Sequence, residues 1–223
     1  MKLSKLQFEQ LLRENKLILS FIGMSNIGKT YWSMKLQNIA FRHINCDDLI
    51  EEKLAPILNT LGYSGIEDVS RWMGQPYDER FAVNQERYLS LERDVMEEIF
   101  AQVKNRDFGN AVIDTTGSVI HTGKSLCKKL KGCSLVIYIA ASKKIEEKMY
   151  RQYLDEPKPV VFADVYNQKT CETKIQALGR CYKKLLDLRS VLYAEYADVI
   201  IPREVIEENK SIHEFISLVK NLI

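Results

Sequence analysis

Residues 16–30 read KLILSFIGMSNIGKT, and this stretch decides the fold. Leu17, Ile18, Leu19, Phe21 and Ile22 form an apolar run broken only by the small Ser20, as in a strand covered on both faces. The run passes directly into a glycine-framed turn. Gly23, Gly28, Lys29 and Thr30 stand at the spacing of a P-loop. Small residues in such a turn let backbone N–H groups converge on phosphate oxygens. The lysine adds a mobile positive charge, and the hydroxyl after it is a ligand for Mg²⁺. Trp32, Met34, Leu36, Ile39 and Ala40 follow in a helix-compatible pattern, so the positive end of a helix faces the same anion.

Outward from this core the chain alternates. Strand signals recur at Leu17–Ile22, Phe41–Asn45, Ala111–Asp114, Leu135–Ala140 and Asp198–Ile201. Helical patterns lie at about 28–40, 47–60, 79–104, 121–131, 143–153, 172–195 and 211–223. Such alternation predicts an α/β fold of the P-loop NTPase type, a parallel β-sheet flanked by helices. Ligands of open α/β sheets bind beyond the carboxyl ends of the strands. Asn45–Asp47, Asp114–Gly117 and the segment after Ala140 are therefore expected at the edge that carries the P-loop. The reading is a single domain over 1–223, with 16–58 and 105–223 as core. Residues 59–104 read as a substrate-binding helical insertion. Residues 152–171, with two prolines and mixed charge, read as a mobile lid. An amphipathic lead-in helix containing Leu3, Leu6, Phe8, Leu11 and Leu12 is expected beside the first strand.

Composition narrows the function classes. Hydrophobic residues make up 46% of the 223 and charged residues 28%, as in an ordinary globular chain. A net charge of +2 is too small to argue for nucleic acid or an acidic membrane as the main partner. No run approaches the ~20 apolar residues of a membrane span. The charged N-terminus lacks an apolar signal core. Five cysteines without a CxxC pair suggest reduced thiols and a cytoplasmic location.

Further residues carry a resemblance. After the second strand come Asn45-Cys46-Asp47 and Ile50-Glu51. Arg151 is followed seven residues on by Lys158-Pro159. Arg189 precedes Leu192-Tyr193 and Ala197-Asp198-Val199-Ile200. Together these make residues 17–202 resemble the shikimate kinases among the P-loop small-molecule kinases. The resemblance implies phosphoryl transfer from ATP, with Mg²⁺, to a hydroxyl of shikimate or a related hydroxy acid or polyol. It implies nucleotide binding by Gly23, Ser25, Asn26, Ile27, Gly28, Lys29, Thr30 and Tyr31, with Arg151 stacked on the adenine. Lys29, Asp47 and Lys158 are implied as catalytic. In that set Asp47 contacts the acceptor hydroxyl and Lys158 reaches over from the lid. Arg189 is implied as the partner of a substrate carboxylate, and Gly117 as part of the acceptor pocket.

Three positions depart from the family pattern. The leading aspartate is Asn45, so Asp114, at the end of the apolar run AVID, takes the Walker-B role and joins Thr30 as the expected metal contact. A glycine triplet reads Thr116-Gly117-Ser118. Leu89 stands where a second carboxylate-binding arginine is expected. Arg93, four residues on, is the substitute candidate, with Arg87 beside it, and Glu92 fits the family. Asp48 is expected to cap the helix after the second strand, which leaves Asp47 for chemistry. Two other readings stay open. One is a nucleotide or nucleoside kinase using Tyr63, Trp72, Gln75 and Tyr77; the other is a degenerate nucleotide-binding protein acting as a switch. The sequence fixes no oligomeric state.

Overall fold

The computed structural model describes residues 3–105, 108–156, 158, 160–208 and 211–223. Five strands, β1 (Ile18–Ile22), β2 (Arg42–Asn45), β3 (Ala111–Asp114), β4 (Leu135–Ala140) and β5 (Val199–Pro202), form one parallel sheet in the order β2-β3-β1-β4-β5. Central strands β1 and β3 are buried at every residue, which is why they read as continuous apolar runs. β5 lies at an edge and alternates, Val199 and Ile201 in, Ile200 and Pro202 out. The register aligns Phe21 and Asn45 with Asp114, and Ile22 with Tyr138. The carboxyl ends of β1, β2 and β3 therefore open on one edge. The chain switches sides at β1, between β3 and β4, and the P-loop leaves the sheet there.

Ten helices are present among the described residues: α1 (Lys5–Arg13), α2 (Lys29–Gln37), α3 (Cys46–Thr60), α4 (Ile66–Met73), α5 (Phe81–Val103), α6 (Lys124–Cys133), α7 (Lys143–Asp155), α8 (Lys174–Tyr196), α9 (Arg203–Glu208) and α10 (Ile212–Leu222). The expected windows correspond to these within a few residues, except that α4 and α9 carried no sequence signal strong enough to be read. The 121–131 window splits into a 3₁₀ turn, Val119–His121, and α6. Capping boxes start α1 (Ser4 with Gln7), α8 (Thr173 with Gln176) and α10 (Ser211 with Glu214). α1 buries Phe8 and packs against α10, where Lys220 meets Glu9 at 2.8 Å. Asn110 ties its C-terminal end to the start of the sheet: the side-chain oxygen accepts from Leu17 N at 2.7 Å and the amide donates to Leu12 O. Leu6, expected on the packed face, is 70% exposed.

The second half of the 152–171 segment is docked. Val161, Phe162 and Val165 are buried, and the Phe162 ring lies against those of Phe81, Tyr153, Tyr166 and Tyr182. Tyr153 and Tyr182 stack at 3.7 Å, joining α7 to α8. Gly179 lets the two helices approach, since a Cβ there would meet Leu154 at 2.9 Å. Pro159 lies outside the described residues. All five cysteines are free thiols, and no helix among the described residues is long and apolar enough to cross a membrane.

Candidate active site at the P-loop edge

The loop from Gly23 to Thr30 owes its shape to two glycines and one asparagine. Gly23 has φ 147°, and a Cβ on it would lie 2.7 Å from the Ile139 carbonyl of β4. Asn26 takes the left-handed region with φ 60°, which asparagine tolerates better than most residues. Gly28, at φ 106°, is the N-cap of α2 and supplies no side chain to the first-turn amides. Met24 and Ile27 anchor the loop in the core, while Ser25, Asn26, Thr30 and Tyr31 stay exposed. Tyr31 lies edge-on to buried Trp32, and Lys35 sits over both rings.

Lys29 is folded into the loop. Its ammonium donates to Gly23 O at 3.0 Å and Met24 O at 2.9 Å. Burial lowers its pKa, and the charges of Asp114 and Asp47 work against that shift. The lysine thus shares a buried electrostatic environment with two carboxylates from two other strand ends. Asp114, at the end of β3, is buried and faces His43 Nε2 at 3.2 Å.

The helix after β2 is capped by Asn45, not Asp48. The Asn45 Oδ1 accepts from Asp47 N at 3.1 Å, and Asp48 is exposed. The expectation for Asp48 fails because asparagine at the strand end already stands in extended backbone with its oxygen aimed at the first turn. Asp47, one residue into the helix, remains uncommitted to capping. Burial raises its pKa, Lys29 opposes this, and the buried Tyr88 hydroxyl donates to its Oδ1 at 3.3 Å. Nothing in the sequence singled out Tyr88, which lies among apolar residues on a long amphipathic helix.

The candidate acceptor side gathers around Gly117. Its carbonyl accepts from Tyr193 at 2.5 Å. A Cβ on Gly117 would lie 2.7 Å from Ser25 Oγ, 3.2 Å from Ser25 N and 3.7 Å from Arg189 Nη1. The flanking Thr116 and Ser118 do not project into open space, because both donate to the fully buried Glu92 carboxylate, Ser118 at 2.8 Å. Burial pushes Glu92 up to about 7 even though both hydroxyls pull it down. Arg189 is also buried. Its Nη2 donates to Val161 O at 2.7 Å and its Nε to His121 Nε2 at 3.2 Å. That acceptor role requires neutral histidine, in keeping with burial and Arg189 lowering His121 to about 3.

The structure therefore brings together Gly23, Ser25, Lys29, Asp47, Asp114, Gly117 and Arg189. It ties other candidates elsewhere. Arg93 pairs with Glu86 at 2.5 Å on the outer side of α5, whose inner side presents Tyr88, Leu89 and Glu92. Four residues along a helix is not a full match of direction, and Arg93 falls at the margin. Arg151 is exposed on α7 and pairs with Glu147 at 3.2 Å. Lys158 is exposed, and among the described residues no hydrogen bond links it to the loop. Trp72 is buried, and Tyr77 lies under the Lys174 ammonium. Arg203, at the start of α9, went unnoticed in the sequence. Its guanidinium would lie 3.3 Å from a Cβ on Gly28.

By sequence, no protein-family model and no curated protein matches the chain. By structure it has a P-loop kinase fold, and it aligns with solved enzymes of that fold over 91–95% of the chain. More narrowly, the fold is of the shikimate kinase type. The shikimate kinase of Acinetobacter baumannii, solved in complex with shikimate, matches with a TM-score of 0.57 at 17% identity, over 95% of this chain and 96% of that one. The Bacteroides thetaiotaomicron shikimate kinase gives 0.57 at 15%, over 92% and 97%. That of Aquifex aeolicus gives 0.54 at 14%, over 91% and 94%.

Proposed function

We propose that the protein is a small-molecule kinase that transfers the γ-phosphoryl group of ATP to a hydroxyl of a hydroxy acid or polyol. The observation that carries this reading is the group of buried Lys29 and Asp114 with half-buried Asp47 at the sheet's switch point, beside the glycine-framed loop. Phosphoryl transfer needs positioning and charge neutralisation more than covalent chemistry. The amides of Ser25 to Tyr31 bind the donor phosphates. Lys29 exchanges its two loop carbonyls for phosphate oxygens, which restores the charge partner that burial has withheld. Asp47 orients the acceptor hydroxyl and takes its proton, and its raised pKa makes it a stronger base than an exposed carboxylate. Tyr88 fixes the Asp47 rotamer.

Thr30 and Asp114 suit Mg²⁺, which characteristically takes one or two protein ligands and completes its shell with phosphates and water. When bound, the ion neutralises charge on the outer phosphates. Lys158 and Arg151 are assigned to closure, over the nucleotide, of the part of the 152–171 segment that precedes the docked Val161, which requires Arg151 to leave Glu147.

The test is ADP release with a panel of hydroxylated metabolites. Asp47→Asn is expected to lower kcat by roughly 10²-fold or more, the scale of a lost general base, while MgATP still raises the melting temperature. Lys29→Ala is expected to lose that thermal shift. If wild-type protein binds ATP yet phosphorylates nothing in the panel, the kinase assignment fails.

A further inference from the structure

We infer that the acceptor is uncharged, a polyol or cyclitol rather than a carboxylic acid, because the chain's own backbone already occupies the arginine of the acceptor pocket. This inference rests on the kinase reading above and narrows its substrate.

Arg189 reaches the Gly117 side of the site, and two of its five N–H donors, the one on Nε and one on Nη2, are in use. Nη2 donates to Val161 O at 2.7 Å, and Nε to His121 at 3.2 Å. Nη1 faces the α-carbon of Gly117. A carboxylate taking the Nε–Nη2 edge of the fork would have to evict a main-chain carbonyl, and one approaching the Nη1–Nη2 edge meets the Gly117 turn, where a Cβ would stand 3.7 Å from Nη1.

That carbonyl is held from both sides. Gln85 Oε1, on α5, accepts from Phe162 N at 2.7 Å and Ala163 N at 2.9 Å. Phe162 is fully buried in a cluster of aromatic rings. Freeing Arg189 would mean withdrawing that ring and leaving two amides without their acceptor.

Neither the α5 candidates nor His121 makes up the loss. The position on α5 one turn before Arg93 is Leu89, which is buried, and Arg93 is paired with Glu86. His121 accepts from Arg189 and carries no charge in that role. Lys29 belongs to the phosphates. An acid entering the pocket would instead meet the carboxylate of Asp47. Its charge would be desolvated next to like charge, a selection against anions. Hydroxyl groups carry no such penalty, and Asp47 and the Gly117 turn offer them acceptors.

The experiment uses the whole protein with MgATP and matched acceptor pairs that differ by a carboxylate. Suitable pairs are a sugar alcohol with its aldonic acid, and shikimate with its hydroxymethyl analogue. ADP release gives kcat/KM for each. The neutral member of every pair that turns over is expected to exceed its acid by roughly tenfold or more, the scale of one charge-assisted contact. An acid equal to or better than its neutral partner would overturn the inference and leave the kinase reading standing. If neither member of any pair is consumed above background, while ATP still protects the fold against heat, the kinase reading falls and the inference with it.

Discussion

A methyl group on the α-carbon of Gly23 would sit 2.7 Å from the Ile139 carbonyl oxygen, closer than any real Cβ contact. That oxygen belongs to β4 and cannot swing aside as a side chain would. The φ of 147° adds a conformation that other residues rarely adopt. Both costs fall on the turn that sets the P-loop's entry angle. Gly132, exposed within α6, is the contrast, since a Cβ there meets nothing within 4 Å and its φ is helical. Gly23→Ala is therefore expected to destabilise the fold by about 1–3 kcal/mol and to lose the MgATP thermal shift. Gly132→Ala should instead gain about 0.4–1 kcal/mol. Urea unfolding of the two variants checks the pair, and equal effects would deny Gly23 its special geometry.

Elements that carry their own signal were legible in the sequence, and contacts between elements were not. The P-loop was readable because strand, turn and helix follow one another within fifteen residues. β1, β3 and β4 announce themselves as apolar runs because both sheet faces are covered. α4 spans only eight residues between glycines at both ends, and α9 only six, too short for a periodic pattern to stand out. The candidate acceptor pocket was the least legible part. Arg189 meets partners 28 and 68 residues away, and Thr116 meets Glu92 across 24. Nothing local in the chain encodes those meetings. The same holds for Gln85, which appears to the sequence as a surface residue of α5 and in the fold is the acceptor for two amides of the 161–163 turn. Removing that acceptor leaves two partly buried donors unsatisfied, at about 1–3 kcal/mol. Gln85→Leu should lower stability on that scale and raise amide exchange at Phe162 and Ala163 well before neighbouring α5 amides respond. Gln85→Glu retains an acceptor oxygen and should keep most of the protection. Unchanged exchange in Gln85→Leu would show that the turn is held by Phe162 packing alone.

At the scale of the whole molecule, two buried groups with opposite habits shape how stability depends on pH. Glu92 has its pKa raised from 4.5 to about 7, so between those values the folded protein holds a proton that the unfolded chain has released. Stability from this group falls as pH rises through that window. His121 is lowered from 6.5 to about 3, so between those values the unfolded chain binds a proton that the folded protein does not. Its contribution rises with pH. From pH 4.5 to 6.5 the two slopes oppose each other, each at most about 1.4 kcal/mol per pH unit. They connect through Arg189, which bonds to His121 and whose charge also lowers Glu92. Replacing Glu92 with glutamine removes the falling term and leaves Thr116 and Ser118 an amide to bond. Glu92→Gln is thus expected to gain stability steadily from pH 4.5 to 6.5, by about 2 kcal/mol more than wild type does, because the falling Glu92 term is gone and the His121 term is common to both. Urea unfolding at three pH values in that window, on both proteins, reads the difference directly, with every other titrating group common to the two. Parallel curves would mean that Glu92 is ionised in the fold at pH 4.5, and that its two hydroxyl donors outweigh burial.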